Sequence, residues 1–578
     1  MSVVRHIEIN NFRSIKHLSW NPKPGLNCII GPGDSGKSTI LDAIDIALGA
    51  RRSYSFNDAD FYKLDTGSPL IITVTIGELH DELKNIERYG SFLRSFNSET
   101  KEIYDEPLIG NETVLTVKLH VDADLAPDWR LYSDRSEADG LERRLSWKHR
   151  ELLSPARLGT TSHQNLAWGN RSVLNKLSED TLDVSSILAQ LGRQSRKSFA
   201  AQQLEGVSDV LVQVKQIANG LGVPVGQLNA LLDVNGISLS NGAISLHNND
   251  GTPLRQLGTG SSRLLISGLQ KAASCSSVLI VDEAEYGLEP YRITRLLNEL
   301  GSKDEEPTQQ VFITTHSPYV LRELQASQLH IVRKQSPQPI MLDLEPIYSH
   351  LIFSLNDEEE QQSTLRVCAE AFLSKAVIIC EGKTEVGLIR GIDLYNQDTN
   401  HPTIIEKGVY CADGGGDSMF ARAKVFQSLG YQTSIFKDSD KPQEHQQVTA
   451  EMEDLNIPIF EWLNGNATED ALFFSCSSDV IPSLLKIAID RKGEDSVRAH
   501  IINHSNNQFT LDDCRDRFNV NHRPILAAAA NKKGWFKDIE PAECIGRYLI
   551  GPNRQNFSPI LINNLTNLFQ WSRSQGEE

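Results

Sequence analysis

A glycine-rich turn between an apolar run and an amphipathic segment is the feature that most constrains the fold of this chain. Residues 26–30 are typical of a buried strand, and apolar residues recur at helical spacing from Ser38 to Leu48. The turn between them follows the pattern G-x-x-x-x-G-K-[ST], which presents backbone N–H groups and a helix N-terminus to phosphate oxygens. The predicted phosphate-binding residues are Gly31, Pro32, Gly33, Asp34, Ser35, Gly36, Lys37, Ser38 and Thr39.

Two side chains of this turn suit a nucleoside triphosphate and its metal ion. Lys37 is expected to reach the β- and γ-phosphates, and Ser38 is expected to ligate Mg²⁺. The sequence therefore predicts ATP and Mg²⁺ as cofactors of an α/β domain.

Two acidic residues follow a further apolar run, at residues 278–281. After a P-loop, Asp282 is expected to hold Mg²⁺ and Glu283 to polarise the attacking water. Acids at the end of a strand are also common without such a role. His316 follows the next apolar run, residues 311–314. It is interpreted as a γ-phosphate sensor, with a structural histidine as the alternative.

Bulk composition excludes few classes of protein. The 578 residues predict two or three domains, and no apolar run approaches the 18 residues of a membrane helix. The first ten residues lack the apolar stretch of a signal peptide. The eight cysteines form no CxxC pair, which predicts reduced thiols and a cytoplasmic location. The net charge of −18 argues weakly against a constitutively basic nucleic-acid binder.

Three further motifs lie before and after the P-loop in the chain. Residues 10–14, Asn-Asn-Phe-Arg-Ser, resemble the N-terminal strand and turn of the SMC/RecF-like branch of ABC ATPases. Residues 257–263 resemble that family's signature motif but depart from its L-S-G-G-Q form, and residues 287–290 match its D-loop. The resemblance implies that Ser261 completes the ATP site of another subunit, and hence a homodimer at least.

A second group of acids follows two other strand-like runs. Residues 376–380 lead into Glu381-Gly382, with Glu385 one helical turn later, and residues 433–436 lead to Asp438 and Asp440. Carboxylates held close together cannot all stay ionised without cations. Oxygen ligands favour Mg²⁺ or Mn²⁺ over zinc. Solvated loop acids are the alternative interpretation.

This strand–Glu-Gly–helix, strand–DxD order resembles the TOPRIM domain of topoisomerases, primases and OLD-type nucleases. The resemblance implies that Glu381, Asp438 and Asp440 are catalytic metal ligands, assisted by Glu385. Glu469 fits the extra acid of nuclease-type sites and equally an ordinary acid of a helix N-terminus. Lys533 resembles a late lysine of OLD nucleases that stabilises phosphate charge, with a solvated basic turn as the alternative. Asp413 lies in a segment best interpreted as a glycine-rich turn.

The expected fold class is α/β, with an ABC-type (SMC/RecF-like) ATPase head followed by a TOPRIM domain with a helical C-terminal part. Residues 1–121 and 251–350 are the two expected parts of the head. Between them, residues 122–250 are expected to form a helical insertion for dimerisation, with helical segments at 173–191 and 207–221 and a strand at 236–246. Residues 351–370 are the expected linker, and residues 371–578 the TOPRIM domain.

An ABC head followed by TOPRIM is the layout of the OLD (overcoming lysogenization defect) family, which includes Gabija-type and retron-associated anti-phage effectors. The resemblance implies ATP-regulated, metal-dependent cleavage of duplex DNA by a homodimer or higher homo-oligomer, with no membrane contact. It also implies a defence-system partner protein or a retron nucleic acid. Two other hypotheses stay open: a non-catalytic RecF-like DNA-binding repair protein, and an ATPase module that regulates a toxic partner.

Overall fold

The computed structural model describes residues 2–51, 53–158, 207–220, 246–272, 277–335, 349–462 and 465–575, together with a few positions between 166 and 198. Of the expected insertion, the helix at 207–221 is present as Val207–Gly220. The expected helical segment at 173–191 and strand at 236–246 lie almost entirely outside the described residues.

One large mixed sheet forms the N-terminal region. Its strands are β1 (Val3–Phe12), β2 (Ile15–Trp20), β3 (Leu26–Ile30), β4 (Leu70–Gly77), β5 (Leu93–Phe96), β6 (Ile103–Tyr104), β7 (Glu112–Val121), β8 (Pro127–Tyr132), β9 (Ala156–Leu158), β10 (Val278–Val281), β11 (Gln310–Thr314), β12 (Leu329–Gln335) and β13 (Ser349–Ser354). The order is β6-β5-β7-β4-β1-β2-β13-β12-β3-β11-β10-β9, and β8 pairs with β7. Strands β12, β3, β11, β10 and β9 run parallel, whereas β1, β2, β4, β5 and β7 pair antiparallel.

Burial explains why the central strands read as continuous apolar runs. Every residue of β3, β10 and β11 is buried, as expected for parallel strands covered on both faces. The described helices of this region are α1 (Lys37–Leu48), α2 (Ile86–Tyr89), α3 (Asp134–Ala138), α4 (Trp147–Leu153), α5 (Val207–Gly220), α6 (Thr259–Ala272), α7 (Pro290–Glu299) and α8 (Pro318–Glu323). The P-loop helix α1 packs against β1, β4 and β7.

The expected start of the insertion at residue 122 is too early. Strand β8 pairs with β7 over Thr116–Val121, and β9 pairs in parallel with β10. Residues 127–132 and 156–158 therefore belong to the head sheet. Sequence reasoning missed this because edge strands such as β8 are polar and only half-buried, and their pairing partner decides their structure.

The expected linker at 351–370 is likewise structured. Strand β13 pairs with β12 and touches β2, and helix α9 (Glu359–Val367) follows it. The acids that suggest a solvated linker lie on the exposed first turn of α9, whereas Leu365 on its other face is fully buried. One hydrophobic core runs from the head through α9 into the next domain.

The C-terminal region begins with a parallel sheet of order β15-β14-β16-β17. Its strands are β14 (Ala376–Cys380), β15 (Val409–Asp413), β16 (Gln432–Lys437) and β17 (Ile459–Glu461). Its helices are α10 (Lys383–Asp398), α11 (Ser418–Ser428), α12 (Gln446–Asp454), α13 (Thr468–Ser475), α14 (Ile481–Lys492), α15 (Glu494–His504), α16 (Leu511–Asp516), α17 (His522–Lys533), α18 (Ile539–Cys544) and α19 (Pro559–Ser574), with a π-helical segment at Ile545–Ile550. The expected helical tail beyond the sheet is confirmed, and it packs into a second core with α10 and β14.

Two further predictions concern the state of the cysteines and the presence of membrane-spanning helices. Each described cysteine is a free thiol. Among the described helices, none combines the length and the apolar character that crossing a membrane requires.

Candidate functional sites

The P-loop turn joins β3 to α1 in a conformation that requires its glycines. Gly36 has a φ of 89°, in the left-handed region. A Cβ on Gly31 would lie 2.5 Å from the carbonyl oxygen of Val332. Asp34, at φ 59°, also adopts the left-handed conformation. The turn therefore curls its backbone around the start of α1, as phosphate-binding loops do.

Lys37 lies across this turn. Its Nζ donates hydrogen bonds to the carbonyl oxygens of Gly31 (3.0 Å) and Pro32 (2.9 Å). Burial lowers the pKa of Lys37, and the charges of Asp34 and Asp282 partly offset this. The ammonium is thus held beside the residues expected to bind phosphate, whereas Ser38 is exposed at the start of α1.

Asp282 and Glu283 follow β10 in clearly different environments. The hydroxyl of Thr314 donates to Asp282 Oδ1 at 2.5 Å, and Arg157 Nη2 lies 3.6 Å from Asp282 Oδ2. Glu283 has a φ of 49° and an exposed side chain, and its N–H donates to Thr314 Oγ1 at 2.9 Å. Asp282 is therefore fixed by its neighbours, while the carboxylate of Glu283 faces solvent.

The signature segment and the sensor histidine both contact residues of the segment that follows β10. Ser261, in the first turn of α6, accepts a hydrogen bond from Arg292 Nη1 at 3.1 Å. His316 is exposed after β11, and its backbone N–H donates to Glu285 Oε1 at 2.8 Å. Both side chains are accessible to a ligand or to a second subunit.

Sequence reasoning missed three residues that organise this site. Arg157 donates to Asp42 at 2.6 Å and also reaches Asp282, so it ties α1 to the end of β10. Arg263 is buried and donates to the carbonyl oxygen of Asp282 at 3.0 Å. Glu285 accepts from the Thr315 hydroxyl at 2.6 Å. Their partners come from distant segments, so no local pattern could have indicated them.

The second group of acids gathers at the carboxyl edge of the smaller sheet. Strands β14 and β16 are parallel neighbours, with Cys380 opposite Phe436. The backbone N–H of Asp438 donates to Glu381 Oε2 at 2.9 Å, and the N–H of Glu381 donates to the carbonyl oxygen of Phe436 at 2.9 Å. Glu381 and Asp438, 57 residues apart in the chain, are thus brought into direct contact.

A threonine joins two of these acids. Thr468 Oγ1 lies 2.6 Å from Glu385 Oε1 and 2.9 Å from Asp438 Oδ1, and it accepts from Trp462 Nε1 at 2.7 Å. A hydroxyl has one proton and satisfies one of the two carboxylates at a time. Burial raises the pKa of Asp438 and that of Glu385, and neighbouring carboxylates raise both further.

Glu469 adds another buried acid. It is 3% exposed, and its Oε1 has no hydrogen-bond partner among the described residues. Burial raises its pKa, while the charge of Lys537 lowers it. Asp440 is exposed at the rim. Within the described part of the chain, none of Glu381, Glu385, Asp438 and Glu469 forms an ion pair, and the raised pKa values of Glu385, Asp438 and Glu469 mean that their carboxyl groups are protonated more readily than usual.

As the side chains stand, no three described His, Cys, Asp or Glu residues are arranged to hold a metal ion. The reason is visible in the hydrogen bonds. Glu381 is turned to the N–H of Asp438, and Glu385 Oε2 accepts from the N–H of Gly382 at 2.9 Å. The oxygen-only donor set and the orphaned Glu469 oxygen nevertheless fit a hard divalent cation, which would require side-chain rotations.

A second lysine of the same turn, Lys537, also acts on these acids. Lys537 lowers the pKa of Glu469, whereas Lys533 is exposed at the end of α17 and acts on His500. The left-handed Gly534 reverses the chain between them. In a basic turn with several lysines, the turn geometry decides which of them faces the acids.

The glycine-rich segment after β15 is a turn, as expected. The N–H of Gly414 donates to Cys380 O at 2.6 Å, and that of Gly416 donates to Glu381 O at 2.8 Å. Asp413 accepts from the N–H of Gly415 at 3.0 Å. The turn therefore supports the backbone of Glu381. Thr468 was missed because a threonine beside acids gives no sequence signal of its own.

Comparison with known protein families divides the chain in the same way. Residues 26–322 match the family described as "AAA domain, putative AbiEii toxin, Type IV TA system". Residues 372–440 match the family described as "Overcoming lysogenization defect protein-like, TOPRIM domain". The first match spans more than half of the chain, and the second contains Glu381, Glu385, Asp438 and Asp440.

Similar curated proteins include a RecF protein and an OLD nuclease. The DNA replication and repair protein RecF of Nitrosococcus oceani is 41% identical over 54 residues, which are 9% of this chain and 15% of that protein. The OLD nuclease of Thermus scotoductus is 24% identical over 367 residues, 59% of this chain and 64% of that protein. The chain thus spans less than two thirds of the length of either relative.

Solved structures of SMC heads also align with the chain. A SmcHead bound to the C-winged helix domain of ScpA has a TM-score of 0.31 and 14% identity, covering 61% of this chain and 98% of that one. The SMC head domain from Thermotoga maritima has a TM-score of 0.27.

Two domains follow from these observations: an ATPase domain with an intact P-loop, and a TOPRIM domain with its acids at one sheet edge. The mixed sheet of the head, the parallel sheet of the TOPRIM domain and the helical C-terminal part confirm the expected α/β fold class. The chain belongs to the AAA-domain ATPase family matched over residues 26–322, and it carries an OLD-like TOPRIM domain at residues 372–440.

Proposed function

We propose that this chain is an ATP-regulated, divalent-metal-dependent endonuclease of duplex DNA that acts in the cytoplasm. The contact between Glu381 and Asp438 carries the proposal, because it brings two acids of separate strands to one sheet edge. The name of the OLD nuclease from Thermus scotoductus supports the same activity class.

Five acids are proposed to hold one or two Mg²⁺ or Mn²⁺ ions. Glu381, Asp438 and Asp440 are the main ligands, with Glu385 and Glu469 completing the set. The burial of Glu385, Asp438 and Glu469 and the raised pKa values of these three acids support this role, since a nearby cation would stabilise their ionised forms. When bound, such ions activate a water and stabilise the departing oxygen of a phosphodiester.

The remaining residues of the site position groups and balance charge. Thr468 holds Glu385 and Asp438 at a fixed separation through its single hydroxyl. Lys537 supplies positive charge beside Glu469, where the phosphate of a bound strand would add negative charge. Lys537 joins Lys533 in the proposed set of residues that stabilise phosphate charge.

The joint between the two domains supports regulation by ATP. Helix α8 begins two residues after His316, and it packs against residues 369–373 and α9. Arg322 in α8 pairs with Glu370 at 2.5 Å, and Arg333 at the end of β12 stacks over Tyr431 of the TOPRIM domain at 3.5 Å. A change at the γ-phosphate position would therefore move elements packed directly on the TOPRIM core.

The ATP site is proposed to be completed by a second copy of the chain. His316 is exposed and Ser261 is half-buried, and they contact Glu285 and Arg292, which follow the acids at the end of β10 in the chain. A homodimer or higher homo-oligomer follows, in which Ser261 contacts the partner's nucleotide. We further propose a role in anti-phage defence, with a partner protein or a retron nucleic acid, on the basis of the family.

A plasmid-cleavage assay tests the nuclease proposal. Purified chain with Mg²⁺ or Mn²⁺ is expected to nick or cut a plasmid, and Asp438→Ala is expected to reduce cutting at least about 100-fold while ATP hydrolysis persists. Asp454→Ala, an exposed acid at the end of α12, is the matched control and is expected to cut normally.

Two outcomes would contradict the proposal. Cutting by Asp438→Ala at the wild-type rate would remove the assignment of the metal site. ATP-dependent DNA binding without cleavage under any metal or nucleotide condition would instead favour the RecF-like repair protein. Running each condition with and without ATP shows whether the nucleotide activates or inhibits cutting.

A further inference from the structure

A cavity of about 300 Å³ opens on the head, away from both sites described above. It lies between β8, α4 and the turn that follows α1. Its polar lining consists of four arginines and two tryptophans, namely Arg51, Arg130, Arg144, Arg150, Trp129 and Trp147. None of the described residues that line it is acidic. In a chain with a net charge of −18, such a concentration of guanidinium groups is not a reflection of composition.

Arg150 is the most informative of the four arginines. Its guanidinium donates to the carbonyl oxygens of Gly49 (2.8 Å) and Arg51 (3.4 Å) and lies 4.9 Å from the centre of the Trp129 ring. Burial lowers its pKa, and within the described part of the chain no carboxylate pairs with it. A half-buried cation without a counter-charge is stabilised by an anion that enters the cavity.

The other three arginines pair with carboxylates that do not line the cavity, and Arg130 pairs with three of them, Asp128, Glu137 and Glu142. Arg51 pairs with Asp45 at 2.5 Å, and Arg144 pairs with Asp128 at 2.8 Å while staying 75% exposed. Guanidinium groups have five donors in a planar fork, so one ion pair leaves donors for a phosphate.

Both tryptophan rings are fixed by hydrogen bonds of their indole N–H groups. Trp129 Nε1 donates to Ile46 O at 3.1 Å, and Trp147 Nε1 donates to Glu151 Oε1 at 2.6 Å. The ring of Trp147 remains 40% exposed at the cavity. Nucleobases stack on such aromatic faces, so an anion with an attached base fits the lining better than a bare anion does.

We propose that this cavity binds a nucleoside 5′-phosphate, with the phosphate on the arginines and the base on Trp147. The volume suits one nucleotide unit, since small-molecule sites start at about 300 Å³. The cavity adjoins the C-terminal end of α1, whereas the P-loop is at its N-terminal end, about 18 Å away for a helix of this length. It is therefore a separate site from the ATP site, and it does not depend on the proposed nuclease activity.

The experiment measures binding of dTMP to the full-length chain carrying Lys37→Ala, which weakens the P-loop site. Calorimetry is expected to give one dTMP per chain, with thymidine and inorganic phosphate each binding at least about tenfold more weakly. Trp147→Ala and Arg144→Ala, both at exposed side chains, are each expected to weaken dTMP binding about tenfold. Arg517→Ala, at an arginine 81% exposed on the TOPRIM domain, is the control and is expected to leave binding unchanged.

A second arm separates a free nucleotide from the end of a strand. A short oligothymidylate with a 5′-phosphate is compared with the same strand bearing a 5′-hydroxyl. Tighter binding of the phosphorylated strand than of dTMP, lost in Arg144→Ala, identifies a strand end as the source, and equal or weaker binding identifies the free nucleotide. Absence of dTMP binding at about 1 mM overturns the proposal. So does binding that both cavity variants leave unchanged, or inorganic phosphate binding as tightly as dTMP.

Discussion

The ATP site and the TOPRIM site both collect acidic and phosphate-binding groups at the ends of parallel strands, but they balance charge in opposite ways. In the head, Asp282 is held by the hydroxyl of Thr314 and lies 3.6 Å from Arg157. In the TOPRIM domain, Glu381, Glu385, Asp438 and Glu469 converge without an ion pair among the described residues. The head site is therefore assembled before its ligand arrives, whereas the TOPRIM site stores repulsion that a cation would relieve.

This difference predicts which functions depend on single side chains. The largest effect is expected for Glu283→Gln. This variant should slow ATP hydrolysis at least about 100-fold because it removes the group that polarises water. ATP binding should persist, since the exposed Glu283 side chain does not hold the P-loop. Lys37→Ala is the contrasting variant and should lose ATP affinity. Filter binding and phosphate release measure the two properties, and equal ATP retention in both variants would contradict the assigned roles.

Metal addition should stabilise the two regions unequally. Without nucleotide, Mg²⁺ at 100 times its dissociation constant is expected to raise the free energy of unfolding by about 2.7 kcal/mol through the TOPRIM acids. Asp438→Asn should remove most of this gain, whereas Asp282→Asn in the head should retain it. Thermal unfolding with and without Mg²⁺ measures the effect. A gain that survives Asp438→Asn would place the metal elsewhere.

Acid should weaken the head through a buried histidine. Burial lowers the pKa of His330 to about 3, below the value of about 6.5 in unfolded chains. Between these values the unfolded state binds the extra proton, so stability is complete above pH 6.5 and falls as the pH drops. The expected loss is about 2 kcal/mol between pH 6.5 and 5. Denaturant titrations of wild type and His330→Phe measure it, and identical pH slopes would refute the role of His330.

The smallest expected effect concerns the hydroxyl between two acids. Thr468→Val removes a donor to Glu385 or Asp438 and leaves the indole N–H of Trp462 without its acceptor. A loss of about 1–2 kcal/mol in unfolding free energy is expected. Thr468→Ser keeps the hydroxyl and should lose less than half as much. If valine and serine cost the same, packing and not hydrogen bonding explains the role of residue 468.

Local patterns were sufficient for the head motifs. The strand, the turn and α1 follow one another within residues 26–48, so spacing alone predicted the phosphate-binding turn. Strands β10 and β11 could be predicted equally well, because parallel strands covered on both faces are apolar throughout. The boundaries at 122 and at 351–370 could not be predicted, since β8, β13 and α9 are only partly buried and mix polar with apolar residues, so their packing partners decide their structure.

The TOPRIM acids show where sequence reasoning stops. The Glu-Gly and DxD motifs predicted which residues meet, and the pairing of β14 with β16 brings Glu381 to Asp438. The participation of Thr468 and the effect of Lys537 on Glu469 depended on the packing of α13 and on the left-handed Gly534. Neither is visible in spacing along the chain.

The sequence by itself determined the chemistry available to this protein: a phosphate-binding turn, two sets of acids after apolar strands, and their order. Only the tertiary structure decided which charges are compensated. The physical reason is that a charge's environment depends on burial and on neighbours contributed by other segments, such as Arg157 beside Asp282. For the same reason, the cavity lined by arginines and tryptophans could not be predicted from the sequence. Its lining comes from α4, β7, β8 and the turn after α1, which meet only in the folded chain.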